Sequence, residues 1–539
     1  MGIAICRFLP LWRGKPNTSC NRREWAGRRA SWLQGTPVQE RSADQTEQGS
    51  LPSLQKLIPD CFVVLIPVLA VYCYSLIRLQ SLADGDTGWH IAAGRWMLAQ
   101  HDVPATGILS YTAAQTPWTA HEWLADVLMS LGYGLGGWSG ILLLYAFVIA
   151  GLVLVLALYL RRWLEPKIAA LLLAGALVGQ FPFLLARPHV IAGPLQALWT
   201  VALLRAREED RAPPLWMALA MMFWANLHGS FIFGLLLIGP FAAEALFAAD
   251  AGDRMKVVKQ WGLFGLVSVL ASVISPYGLQ ALLFPFQLTS MQVLGAINEW
   301  LPSDFSSIGV FEVVLLGGLA GCLWAGVRVP IWRLMVVIGL LHMALAHQRH
   351  QALFLIVSSL IVAMPLARVL GREGPRFDFG PAMRALRQDL TPFLAVLAAF
   401  ALGMTVWRIA VPASRPDSLN VPEAALAHVP VPLRQARVFN EYGFGGSLTM
   451  HGIPVYIDGR ADMYGEAAMR TYLDLVETPD PARWQAEQRR RGFAWTILPP
   501  GKPLVRMLDH QPGWQRLYSD EWAVIHINDD ASRMLQTQH

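Results

Sequence analysis

The chain alternates long apolar stretches with short polar ones, and the apolar stretches have the length needed to cross about 30 Å of hydrocarbon. Spans are predicted at 61–80, 138–160, 168–186, 190–204, 214–227, 230–249, 257–275, 308–326, 331–346, 351–367 and 390–411. The block 214–249 reads either as two spans or as one broken or re-entrant element, because Asn226-Leu227-His228-Gly229 interrupts it. Beyond the last span the pattern changes. Residues 437–440, 455–458, 494–498 and 522–527 read as strands, and 481–491 and 502–510 as helices. The expected fold is an α-helical polytopic membrane protein of about eleven transmembrane helices, followed by a small α/β domain at 412–539.

Composition narrows the class further. Hydrophobic residues make up 54% of the 539 positions and charged residues 15%, where a soluble domain carries about a quarter charged. Such a chain lacks the polar groups to cover a soluble surface, which excludes a soluble multidomain enzyme. Five cysteines are too few for a disulfide framework, and 21 tryptophans fit interfacial belts.

Lysine and arginine set the orientation. Residues 1–56 carry Arg7, Arg13, Lys15, Arg22, Arg23, Arg28, Arg29, Arg41 and Lys56, without apolar periodicity, so this segment reads as disordered and cytoplasmic. It has no signal-peptide pattern. Alternate loops then carry Arg161, Arg162 and Lys167, Arg205, Arg207 and Arg211, Arg254, Lys256 and Lys259, Arg328 and Arg333, and a run from Arg368 to Arg387. The loops between them are nearly free of basic residues. Membrane residues 57–411, with a large first outer loop at 81–137, therefore place 412–539 outside the plasma (inner) membrane. The net charge of +5 is an inner-leaflet anchor. It is scattered among loops and forms no basic face with interleaved aromatics, so no nucleic-acid partner is expected.

The outer ends collect the remaining polar residues. After the first span come Asp84, Asp86 and His90, then His121 and Glu122; later ends supply Arg187 and His189, Asn226 and His228, Glu299, and Arg349 with His350. Ionisable groups at a membrane edge are functional candidates by default, and this one-sided set describes a polar cavity open to the outside. Asp86 and His90, four apart, share a helical face. An Asp at 84 or 86 either caps that helix or serves as general base or divalent-cation ligand. Glu122 is the better candidate of the 122/126 acidic pair, with Asp126 read as complementing a helix dipole. Arg187 and Arg349 either snorkel or hold a phosphate. No ligand set has the spacing of a structural zinc site, and no phosphate-binding Gly loop occurs. The alternative function is a non-catalytic membrane protein or a transporter-like component of cell-envelope assembly, although a transporter predicts mid-span charges and internal repeats, neither of which stands out.

The string Asp84-x-Asp86-Thr87-Gly88-Trp89-His90, with Ser110-Tyr111-Thr112, His121-Glu122-Trp123-Leu124, Arg187-Pro188, Trp224-x-Asn226-Leu227-His228-Gly229, Glu299-Trp300 and Asp458-Gly459-Arg460-Ala461-Asp462, resembles a bacterial subgroup of polytopic membrane proteins. The architecture around it resembles the GT-C class of membrane glycosyltransferases. The resemblance implies a polyprenyl-phosphate-linked sugar donor, an envelope glycan, lipid or protein acceptor, and a base or metal ligand at Asp84 or Asp86. It also implies phosphate neutralisation by Arg187 and Arg349. Asp458, Arg460 and Asp462 then either place the acceptor or form a salt-bridged turn.

Overall fold

Apolar sequence turns into helix throughout the first three-quarters of the chain. The computed structural model describes residues 54–372 and 391–536, so most of the segment 1–56 and the inner-loop residues Arg376, Arg384 and Arg387 lie outside the described residues. In chain order the helices are α1 (Leu54–Ile77), α2 (Thr87–Gln100), α3 (Trp123–Trp163), α4 (Pro166–Gln180), α5 (Pro188–Glu208), α6 (Ala218–Leu227), α7 (Phe231–Ala248), α8 (Arg254–Ser272), α9 (Leu279–Thr289), α10 (Val310–Ala325), α11 (Ile331–Ala346), α12 (Gln351–Val369) and α13 (Thr391–Ala410). Every predicted span carries a helix. Helix α1 begins at Leu54, so the end of the segment expected to be disordered is helical.

Five helices among the described residues are long and apolar enough to cross a membrane: α3, the stretch Pro166–Phe183, α7, Gln348–Val369 and α13. Helices α6, α9, α10 and α11 are apolar but shorter, and α9 lies where no span is predicted. Block 214–249 folds as two helices broken at His228, and α6 has only 10 residues, too few to span about 30 Å alone. Helix α3 runs for 41 residues but leaves helical geometry at Gly136 and Gly137, the latter at φ +57°, a conformation open to glycine. The part after this kink is the predicted span, and the part before it lies in the segment 81–137 that precedes that span. Large apolar side chains such as Leu171, Leu323, Trp324 and Leu402 remain uncovered on the outside of the bundle, as lipid-facing surface requires.

The first part of helix α2, Thr87 through Gly94, is buried throughout. One side of this stretch packs on α3 and another on the helix Gly445–Met450 of the C-terminal tail, while Arg95, Leu98, Ala99 and Gln100 nearer the end of α2 are exposed.

The tail builds a four-stranded sheet in the order β1-β2-β4-β3. Strand β1 (Val438–Asn440) runs parallel to β2 (Trp495–Leu498), which pairs antiparallel with β4 (Val524–Asn528). Strand β3 (Trp514–Ser519) lies at the edge. Helices Ala461–Glu477 and Pro481–Arg491 connect β1 to β2, burying Phe439, Tyr456, Trp484 and Phe493 between them and the sheet. The strand expected at 455–458 does not join this sheet. Val455 instead exchanges hydrogen bonds with Leu109 and Tyr111 of the first outer loop, so its extended pattern is satisfied by a distant partner.

Candidate active site

The first outer loop and the tail meet backbone to backbone. A side chain at Gly88 would strike the carbonyl of Gly446, one at Gly446 the carbonyl of Gly85, and one at Gly459 the carboxylate of Asp86. Only glycine permits an approach this close. The seam fixes where Asp84 and Asp86 sit.

Arg187 joins the seam to the helices. Pro188 opens α5, where its missing N–H costs nothing, and Arg187 before it is extended, at φ −128° and ψ 154°, as a residue preceding proline prefers. Its guanidinium reaches Asp84 Oδ2 at 2.6 Å, Asp86 Oδ2 at 2.9 Å, and Glu299. The free oxygen Oδ1 of Asp84 accepts the Asp86 N–H at 2.9 Å, and that of Asp86 accepts the Trp89 Nε1–H at 3.1 Å. Neither carboxylate caps α2, so the capping alternative falls away. Burial pushes the Asp86 carboxyl up against the pull of Arg187. Burial also works to raise Glu299, but the Arg187 and Arg349 charges win and hold it down at about 2.

A second group forms around Glu122. Its carboxylate oxygens lie 3.4 Å from His228 Nε2, 3.6 Å from His121 Nε2 and 3.9 Å from His90 Nε2. His228 Nδ1 accepts the Ser230 N–H at 3.1 Å, so its Nε2 carries the proton and points it at Glu122. Burial raises the proton affinity of Glu122, and the neighbouring Asp126 charge adds to it. His90 Nδ1 lies 2.6 Å from Asp126 Oδ1. Asp126 is therefore the partner of a histidine, a role the helix-dipole reading does not give it.

Asn226 is occupied in bracing. It accepts the Trp123 Nε1–H at 2.7 Å and donates to the Met222 and Ile274 carbonyls at 2.8 Å each. This closes the end of α6 against α3 and α8 and leaves no group for a ligand.

These elements surround a cavity of about 1090 Å³. Asp86, His90, Glu122, Arg187, His189, His228, Glu299, Arg349 and His350 all line it, while Asp84 and Asn226 do not. Arg349 stacks over the Trp300 ring at 4.4 Å, and no carboxylate among the described residues lies within ion-pair reach of it. The tail contributes Tyr442, Arg460, Asp462 and Lys502. Arg460 is clamped by Asp458, with Nε to Oδ1 at 2.9 Å, and stacks over Trp118 at 4.6 Å, which makes 458–460 a salt-bridged turn. Lys502, held by Glu477 at 2.6 Å, has no motif around it that sequence reasoning could have used.

Asp462 gives a direct test of this burial. Burial raises its carboxyl from 3.8 to about 6, more than the Arg460 charge lowers it. Such a group stabilises the fold fully below its unfolded pKa, and the contribution is lost as pH rises through about 6. An asparagine side chain cannot ionise, so the heat-unfolding midpoint of Asp462→Asn minus that of wild type is expected to climb between about pH 4 and 7. A difference independent of pH would mean that the carboxylate is not buried.

A divalent cation fits poorly on Asp84 and Asp86, because both are already committed to Arg187. Among the described residues no three His, Cys, Asp or Glu side chains are placed to hold a metal ion.

No protein-family model matches the chain, and no curated protein matches it by sequence. Its structure is similar to the apo oligosaccharyltransferase of Archaeoglobus fulgidus, at 12% identity and a TM-score of 0.50, over 80% of this chain and 69% of that one. The fold is GT-C-like. ArnT from Cupriavidus metallidurans, bound to undecaprenyl phosphate, is similar at 15% identity and a TM-score of 0.49, over 88% of this chain and 98% of that one. The loop 81–137, the ends of α5, α6 and α12 next to it and the tail all contribute to one cavity. The chemistry of that cavity must be argued from its own residues.

Proposed function

We propose that this chain transfers a sugar from a polyprenyl-phosphate donor to an envelope acceptor at the outer face of the inner membrane. In this reading 1–56 lies in the cytoplasm, 57–411 forms the membrane part, and 412–539 is an extracytoplasmic domain that completes the site. The observation that carries it is the two-sided character of the cavity. Ile232, Phe233, Leu236, Phe311, Leu353 and Ile356 supply an apolar wall, while Asp86, Glu122 and Arg187 gather at the polar end. Arg349 belongs to the same lining and has no ion-pair partner among the described residues. A phosphate on a long apolar chain has that same division.

The residues divide the work accordingly. Arg349 takes the donor phosphate, because guanidinium matches its oxygens bidentately, and His189 and His350 stand beside it. The acceptor hydroxyl attacks the anomeric carbon and gives its proton to Glu122. The bond from that carbon to the phosphate oxygen breaks, and its electron pair leaves with the phosphate. Asp84 and Asp86 orient Arg187, which also keeps Glu299 in place. A base with raised proton affinity suits an alcohol near neutral pH.

The test is binding of a polyprenyl phosphate to the detergent-purified protein. Arg349→Ala is expected to weaken it about 10–100-fold, the worth of a charge-assisted contact, with the unfolding midpoint unchanged. Equal affinity in wild type and variant would overturn the reading.

A further inference from the structure

Asp126 is buried to 1% exposure and sits in the first turn of α3, yet its carboxylate faces away from the helix and onto a histidine 36 positions earlier. The contact from Asp126 Oδ1 to His90 Nδ1 is 2.6 Å, at or just below the short end, about 2.7 Å, of charge-assisted N–H···O bonds. His90 is equally buried, at 2%, with the Trp89 ring against it at 3.6 Å, so the imidazole has little freedom to turn. Its other nitrogen, Nε2, is directed at the Glu122 carboxylate, 3.9 Å away. The result is a line of three groups, Asp126, His90 and Glu122, all of which line the large cavity.

Resting on the transferase reading above, we infer that Asp126 is a positioning residue that fixes the tautomer of His90 and makes it the onward acceptor for the proton taken by Glu122. With its Nδ1–H donated to Asp126, His90 presents an unprotonated Nε2 to the cavity side. The acceptor's proton moves first to a Glu122 oxygen and then, across the 3.9 Å gap bridged by one water, to His90 Nε2. Burial works against this charge pair, lowering His90 to about 3 and raising Asp126, and the 2.6 Å contact with Asp126 is what offsets that cost when the imidazolium forms. Glu122 is thereby returned to its anionic form, and His90, which lines the same cavity, returns to its neutral form by giving the Nε2 proton to the departing phosphate.

Imidazole nitrogen NMR on detergent-solubilised, ¹⁵N-histidine-labelled protein tests the tautomer without any sugar substrate. Assignment uses His90→Gln. The wild-type spectrum is expected to show His90 protonated at Nδ1 with a strongly downfield proton, and Asp126→Asn to lose that signal. A wild-type His90 protonated at Nε2 overturns the inference on its own, so poor folding of a buried variant does not shield it.

The second arm follows labelled sugar transfer from a polyprenyl-phosphate hexose in membranes. Asp126→Asn is expected to lower kcat about 100-fold or more with KM unchanged, and an unchanged kcat overturns the relay. If wild type itself transfers no sugar while the Nδ1 signal stands, the transferase reading has failed and the dyad geometry has not.

Discussion

Arg187→Ala is expected to cost the fold about 3–5 kcal/mol, the penalty of leaving a buried charge without its partner. Three carboxylates converge on this guanidinium, and Asp84, the deepest, is only 4% exposed. As remaining compensation Asp84 Oδ1 accepts the Asp86 N–H, and the Arg415 guanidinium stays nearby but is directed at the Asp84 backbone carbonyl rather than the carboxylate. Glu299 is partly open to solvent and contributes less of the total. Lysine at this position keeps the charge but not the fork that meets three separate oxygens, so Arg187→Lys is expected to fall between. The measurement is the heat-unfolding midpoint in detergent. Adding Asp84→Asn to Arg187→Ala should recover part of the loss, since it removes the unpaired charge. A midpoint unchanged in Arg187→Ala would mean that these carboxylates are not held as the geometry has them.

What the sequence made legible follows from the range of each interaction. Apolar runs become helices because the signal is local and repeated, so every predicted span carries a helix. The number of crossings is less legible, because α6 stops at 10 residues where hydropathy alone reads a span. Asp126 shows the same limit at a site. Its sequence neighbour Glu122 invites a helix-dipole explanation, while its bonding partner His90 lies in another helix. Asn226 stands out among apolar residues for the opposite reason, because closing a helix break also demands an amide with several partners. Val455 has a strand pattern whose partner is the first outer loop. Strand β3 is missed because its positions are mostly exposed, as edge strands commonly are. The glycines at 85, 88, 446 and 459 were visible as parts of motifs, but their purpose is a contact between segments more than 300 residues apart.

The largest functional effect is expected at Glu122. Glu122→Gln should reduce sugar transfer by about 10²–10⁴-fold, the usual worth of a positioned general base, while polyprenyl-phosphate binding and the unfolding midpoint stay near wild type. Glutamine keeps the shape and still accepts the His228 Nε2–H that lies 3.4 Å from Glu122 Oε1, but it cannot take a proton. Asp86→Asn is a less discriminating experiment, because Asp86 is also an ion-pair partner of Arg187. A loss there mixes chemistry with the position of the whole hub. Glu122 has imidazoles rather than a guanidinium within ion-pair reach among the described residues, so its substitution removes a proton acceptor without freeing a cation. If Glu122→Gln transfers sugar at the wild-type rate, the base lies elsewhere. If it loses phosphate binding as well, Glu122 belongs to the donor's subsite and the division of labour with Arg349 must be redrawn.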